Sequence, residues 1–243
     1  MSTSPDVAVR APRAVVGLAR MRTEAFVRSG RVLAPGLAAL IVLGVAYGGG
    51  AAQAGEAYGY SAVVLFPVVA AQTQMLLNTE PDVQRRISLV AVGGLRREVL
   101  AGALAATVAA LAVVAVALVA PWLIGGITGP QHADDPSLAE GFAAGIWANL
   151  LLLPPAVALG ALASRAAVGS TGLGLAVLAS GSVLGYVVGV RDSFVWWLGP
   201  PLLSTARSTV DGLDAAALLG FTAQSLLWTA VVLAGYGWLR RRN

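Results

Sequence analysis

Cysteine and lysine are both missing from this chain, and histidine occurs once, as His132. Without cysteine there is no disulfide, no thiol nucleophile and no thiolate metal site. A lone histidine excludes a multi-histidine metal centre. It lies in a polar stretch that reads as an outer loop, so a Ser-His-Asp set is not expected. No Walker A sequence and no glycine-rich loop after a strand occurs, so the chain has no means of hydrolysing ATP by itself. Charge is scarce too. Charged residues make up 12% of the chain, about half the roughly 25% of a soluble domain.

Apolar residues fill the space. The 243 residues are 57% hydrophobic, with a mean hydropathy of +0.77, the composition of an integral membrane protein. All 16 basic residues are arginine. Abundant Ala, Gly, Val and Arg without Lys points to a GC-rich coding genome, and a bacterial plasma membrane is the expected location. Six uncharged runs are each long enough for a helix of about 20 residues across a core of about 30 Å. The expected spans are 33–54, 58–78, 99–124, 142–164, 168–190 and 216–239. Pro121-Trp122 and Gly125-Gly126 end the third; Ser164-Arg165 and a turn at Gly169 make a tight hairpin between the fourth and fifth. The predicted fold is all-α, with residues 32–243 as one six-span domain.

Residues 1–31 precede the first run. They lack a short signal-peptide n-region with a nearby cleavage site, so the first span is expected to remain. Residues 1–11 read as a polar tail. Beyond Pro12, Val15, Val16, Leu18, Met21 and Phe26 alternate with Arg13, Arg20, Arg22 and Arg28, the pattern of an interfacial helix with its arginines toward lipid phosphates. With both termini cytoplasmic, 14 of the 16 arginines fall inside: six before the first span, four in 79–98, Arg165, and three at the C-terminus. Only Arg191 and Arg207 fall outside, while Glu56, Asp134, Asp135, Glu140, Asp192, Asp211 and Asp214 are all outside. The inverted topology would break the positive-inside rule. Phe194, Trp196 and Trp197 suit an outer aromatic belt, Pro200-Pro201 stops a helix, and Leu202–Leu213 reads as a short re-entrant or surface helix.

The stretch NTEPDVQRRISLVAVGGLRRE, residues 78–98, is the long interruption in the first half. It predicts a short amphipathic helix capped by Thr79, with Asp82 three residues on and Pro81 in the first turn. Val83, Ile87 and Val90 share a face, with Gln84, Arg85 and Arg86 off it. Gly93-Gly94 ends it. Such an element suits either docking of a soluble partner or a solvated loop whose arginines only set orientation. Polar residues inside spans form a second set: Gln72, Thr73, Gln74, Asn78, Asn149, Gln224 and Ser225. They either line a substrate path or fix packing between helices. Gly181, Gly185 and Gly189 lie on one face of the fifth span and allow close helix approach, within one chain or between two copies.

This layout resembles the membrane subunit of an ABC-2 type transporter, the permease of a type V ABC exporter. The likeness covers nearly the whole chain. It rests on Glu80, Arg85, Arg86, Ile87, Leu89, Gly93-Gly94 and Arg96-Arg97, which stand in the order of that family's loop between spans two and three; Pro81 and Asp82 depart from it. The resemblance implies a coupling helix carrying Glu80, Asp82, Arg85, Arg86, Ile87 and Leu89. It further implies a separate cytoplasmic ATPase docking there, a second permease copy or paralogue, and ATP and magnesium held only by the ATPase. This chain would bind no cofactor, do no chemistry and export a hydrophobic or amphipathic substrate such as a lipid, peptide or drug. The rival expectation is a multi-span scaffold or immunity protein.

Overall fold

The computed structural model describes residues 5–132, 135–190, 194–211 and 214–242, with side chains from Pro12 onward except that of Asp211. Among these residues the fold is all-α apart from one two-residue strand pair. Five helices are long and apolar enough to cross a membrane: α3 (Ala54–Leu77), α5 (Leu95–Leu123), α6 (Leu138–Leu162), α8 (Thr171–Val188) and α10 (Ala215–Arg242). A sixth arises only if α1 (Pro5–Arg28) and α2 (Leu33–Tyr47), which meet at 72°, count as one broken span. Two expectations change here. The helix begins within the segment read as a tail, and α2 stops at Tyr47 instead of running to 54. Its 15 residues rise roughly 22 Å, short of a bilayer core of about 30 Å. Gly48-Gly49-Gly50, poor helix formers in succession, accompany the stop, and Gly50 turns the chain away at φ 127°, a conformation that suits only glycine.

α3 is the centre. It packs against α2, α5, α6 and α8, and along α9 (Leu202–Asp211). The α3–α6 seam is built from small residues. A Cβ at Gly145 would fall on Tyr58, and one at Gly160 on the Ala70 carbonyl and the Thr73 side chain. Around that seam Leu43, Phe66, Ala110, Leu152 and Leu202 form the main apolar core.

Prolines inside the spans leave carbonyls without their helical partner. Pro67 removes the donor for Val63 and Pro155 the donor for Leu151. Both freed oxygens are taken from another helix: the Tyr186 hydroxyl donates to Val63 O at 2.8 Å and the Ser225 hydroxyl to Leu151 O at 2.7 Å. In lipid an unpaired carbonyl is costly, so these bonds fix α8 on α3 and α10 on α6. The Tyr47 hydroxyl likewise donates to Ala57 O at 2.8 Å, and that of Tyr58 to Leu118 O at 2.9 Å.

The two ends of the bundle differ in charge. At one end β1 (Ala52–Gln53) pairs in parallel with β2 (Ile127–Thr128), tying the start of α3 to the end of α5. Glu56, Asp135 and Thr209 line a cavity of about 360 Å³ there. The Asp135 carboxylate accepts the backbone N–H groups of Gln131 and His132, each at 2.8 Å. Those bonds hold its pKa below the ordinary aspartate value. α9, the short helix expected near Leu202–Leu213, buries Leu202, Thr205 and Thr209. At the other end lie α4 (Asp82–Ala91), α7 (Arg165–Val168), the start of α5 and the last turn of α10. Arginines gather here. Asp134, Arg191 and Asp192, which enter the charge count, lie outside the described residues.

Candidate functional site

Arg22, Glu80 and Glu98 are 6%, 7% and 2% exposed, charged side chains brought from α1, the α3–α4 link and α5. Arg22 Nη2 lies 2.6 Å from Glu80 Oε2 and 2.5 Å from Glu98 Oε1, and its Nη1 donates to the Glu98 carbonyl at 3.2 Å. Arg240 Nη2 reaches the second oxygen of Glu98 at 2.8 Å, while its Nη1 donates to the Tyr236 hydroxyl at 2.9 Å. Ser88, on the inner side of α4, donates to Glu80 Oε1. Two guanidinium groups thus neutralise two carboxylates. The network joins the first helix, α4, α5 and the last helix. A buried pair costs desolvation and contributes little net stability, but removing one member strands its partner in low dielectric. Its effect is to hold four chain segments in one arrangement.

α4 is anchored by that network on one side and bare on another. Val83, Ile87 and Val90 are 73%, 65% and 79% exposed. At about 100° per residue these three cluster on one face, and Ser88 lies roughly opposite. Asp82, Arg85, Arg86 and Leu89 occupy the flank between and line a cavity of about 620 Å³ with Arg165, Arg240 and Arg241. Gly93 and Gly94, at φ 81° and 128°, turn the chain from α4 into α5, as only glycine does readily.

The expected residues separate into groups. Arg86 and Ile87 are exposed, while Arg85 is partly buried and pairs with Asp82 at 3.3 Å. Glu80 does not belong to an exposed coupling surface, because its carboxylate is consumed by Arg22 and Ser88. Thr79 does not cap α4; its hydroxyl donates to Met75 O in the last turn of α3, and Pro81 holds the N-cap position in an extended conformation.

The chain matches no family model, no curated protein and no solved structure.

Most of the intramembrane amides are engaged between segments. Gln72 donates to Ala109 O at 3.0 Å, Gln74 to Ala163 O at 2.9 Å, and Gln224 to the carbonyls of Trp196 and Gly199. Asn78 Oδ1 accepts the Arg165 N–H. Asn149 bonds back to Gly145 O on its own helix. These bonds favour packing over a substrate path, although Gln72 Oε1, Thr73 Oγ1 and Gln224 Oε1 are buried without a partner. Gly181, Gly185 and Gly189 face Leu159, Leu202 with Pro200, and Leu203. Their close approach is within the chain, not an open seam for a second copy.

The buried network was missed as a unit. One signal for it exists: Leu18, Arg22 and Phe26 stand four residues apart, so Arg22 belongs to the apolar stripe of α1 and not to its arginine face. Val16 and Met21, expected on the apolar face, are exposed. Glu98 and Arg240 carry no such local mark, because what buries them comes from distant segments.

Proposed function

We propose that this chain is the permease subunit of an ATP-driven exporter, with the arginine-rich end in the cytoplasm, both termini inside and six crossings. The observation that carries this reading is α4. It presents three exposed apolar side chains at one end of the bundle, and its inner side is tied by Glu80 and Ser88 to charges on α1, α5 and α10. An exposed apolar patch on a short, rigidly anchored helix marks a contact surface for another protein. A partner ATPase that holds ATP and magnesium would press on Val83, Ile87 and Val90, flanked by Arg86. The push would pass through the ion network to α1, α5 and α10. Convergence of the arginines at one end, with Arg207 alone among the described arginines at the other, supports the orientation.

Transport then depends on substrate binding differently in two arrangements of the bundle. The space between α3, α5 and α6 beside Asn149 holds a cavity of only about 10 Å³, lined otherwise by apolar residues, as a closed arrangement would. An apolar bundle with few free amides suits a lipid, an amphipathic peptide or a hydrophobic drug. Pairing with a second permease copy or paralogue completes the transporter.

The test is coupling. In proteoliposomes holding the chain and its genomic-neighbour ATPase, Ile87→Asp or a joint Arg85→Glu, Arg86→Glu change is expected to leave the protein folded and abolish stimulated ATP hydrolysis. Stimulation at the wild-type level in both variants would overturn the docking assignment and favour a scaffold.

A further inference from the structure

We infer that the arginine-lined cleft beneath α4 binds the phosphoryl group of an anionic phospholipid from the surrounding leaflet. The cleft, about 620 Å³, carries Arg85, Arg86, Arg165, Arg240 and Arg241 against one acid, Asp82. Asp82 pairs with Arg85 and Glu98 with Arg240. Arg86, Arg165 and Arg241 form no ion pair among the described residues. The Arg165 Nε is buried and lacks a hydrogen-bond partner. Three uncompensated guanidinium groups around one cavity repel each other and present the planar donor forks that match phosphate oxygens.

The walls favour a lipid over a free anion. Leu89, Leu95 and Ala166 share the lining with the arginines, a mixture that suits a headgroup with its glycerol and the start of an acyl chain. The α10 wall runs into a surface with Leu233 and Trp238 exposed, and Arg242 lies over the Trp238 ring at 3.6 Å. A tryptophan at the end of an apolar helix, next to arginines, is the signature of headgroup level. Basic pockets between such helices take anionic headgroups. The cleft shares Arg85 and Arg86 with the border of the proposed docking face, but Arg165 and Arg241 reach it from other segments, so variants at those two test it whether or not an ATPase docks on α4.

The experiment is lipid binding by native mass spectrometry of the purified full chain in uncharged detergent, with phosphatidylglycerol, phosphatidylcholine or inorganic phosphate added. The wild type is expected to retain phosphatidylglycerol and not phosphatidylcholine. Arg165→Gln with Arg241→Gln is expected to weaken that retention about tenfold or more, the effect of losing charge-assisted bonds, while phosphatidylcholine behaviour and thermal unfolding stay unchanged. Arg241 is exposed, so Arg241→Gln alone serves if the double variant does not fold. Equal retention by wild type and variant would overturn the site. Saturation by millimolar inorganic phosphate, with no preference for the lipid, would overturn the lipid assignment. So would binding that appears only with an acidic peptide from the ATPase.

Discussion

Arg22 holds two carboxylates at once, so its removal is the most damaging single change at the arginine-rich end. Arg22→Ala leaves Glu80 and Glu98 facing each other with one fewer cation, and a loss of about 3–5 kcal/mol is expected, read as lower thermal stability and yield in detergent. The neighbouring acids separate the roles: Glu80→Gln should destabilise strongly, whereas Asp82→Asn, at an exposed ion pair, should change stability by under about 1 kcal/mol. Equal effects would show that Glu80 is not buried in its network. The proline-freed carbonyls make a second residue-level case. Tyr186→Phe should cost about 1 kcal/mol. In a Pro67→Ala background, where the helix supplies its own donor to Val63, the same change should cost clearly less, and additive losses in that double-mutant cycle would contradict the argument. Arg22's burial was legible only in the spacing of Leu18, Arg22 and Phe26, and grouping it with the arginines that face lipid phosphates missed it. The fate of Glu98 was not, since its partners are 76 and 142 residues away.

Elements were easier to read than their edges. The long apolar runs and the Gly93-Gly94 break stand where composition and glycine chemistry put helices and a turn. The ends of α2 and the cap of α4 depended on local backbone competition: three successive glycines stopped α2 early, and Thr79 found a carbonyl in α3 before it could serve α4. The α3–α6 seam was not visible in advance, because it depends on which of many glycines face each other. Gly145→Leu puts a side chain into Tyr58 and should destabilise by about 1–3 kcal/mol or more through overpacking. Gly172→Leu on α8, where an added Cβ meets nothing within 4 Å, should be nearly neutral. Thermal unfolding of the two variants in one detergent compares them; similar melting points would mean the seam is not close-packed.

At the scale of the whole molecule, the distribution of charge was the clearest message of the sequence, and in three dimensions it becomes one arginine-rich end and one acidic end. Because the chain has no native cysteine, single cysteines report its orientation without background. Ser137→Cys should label from outside with an impermeant maleimide, and Gln84→Cys, at an exposed position on α4, only after permeabilisation. The reverse pattern would invert the topology. Function was less legible than the charge asymmetry: the outward apolar face of α4 could be drawn from periodicity, but that its opposite side is clamped to α1, α5 and α10 required the fold. The central claim is that this clamped helix receives a soluble ATPase. Its most direct test is to co-express the chain with the ATPase encoded nearest to it, purify through a tag on the ATPase, and compare the wild type with Ile87→Asp. The wild type should co-purify and the variant, folded and inserted, should not. A wild-type chain that never follows any candidate ATPase would contradict the account and leave the scaffold as the better reading.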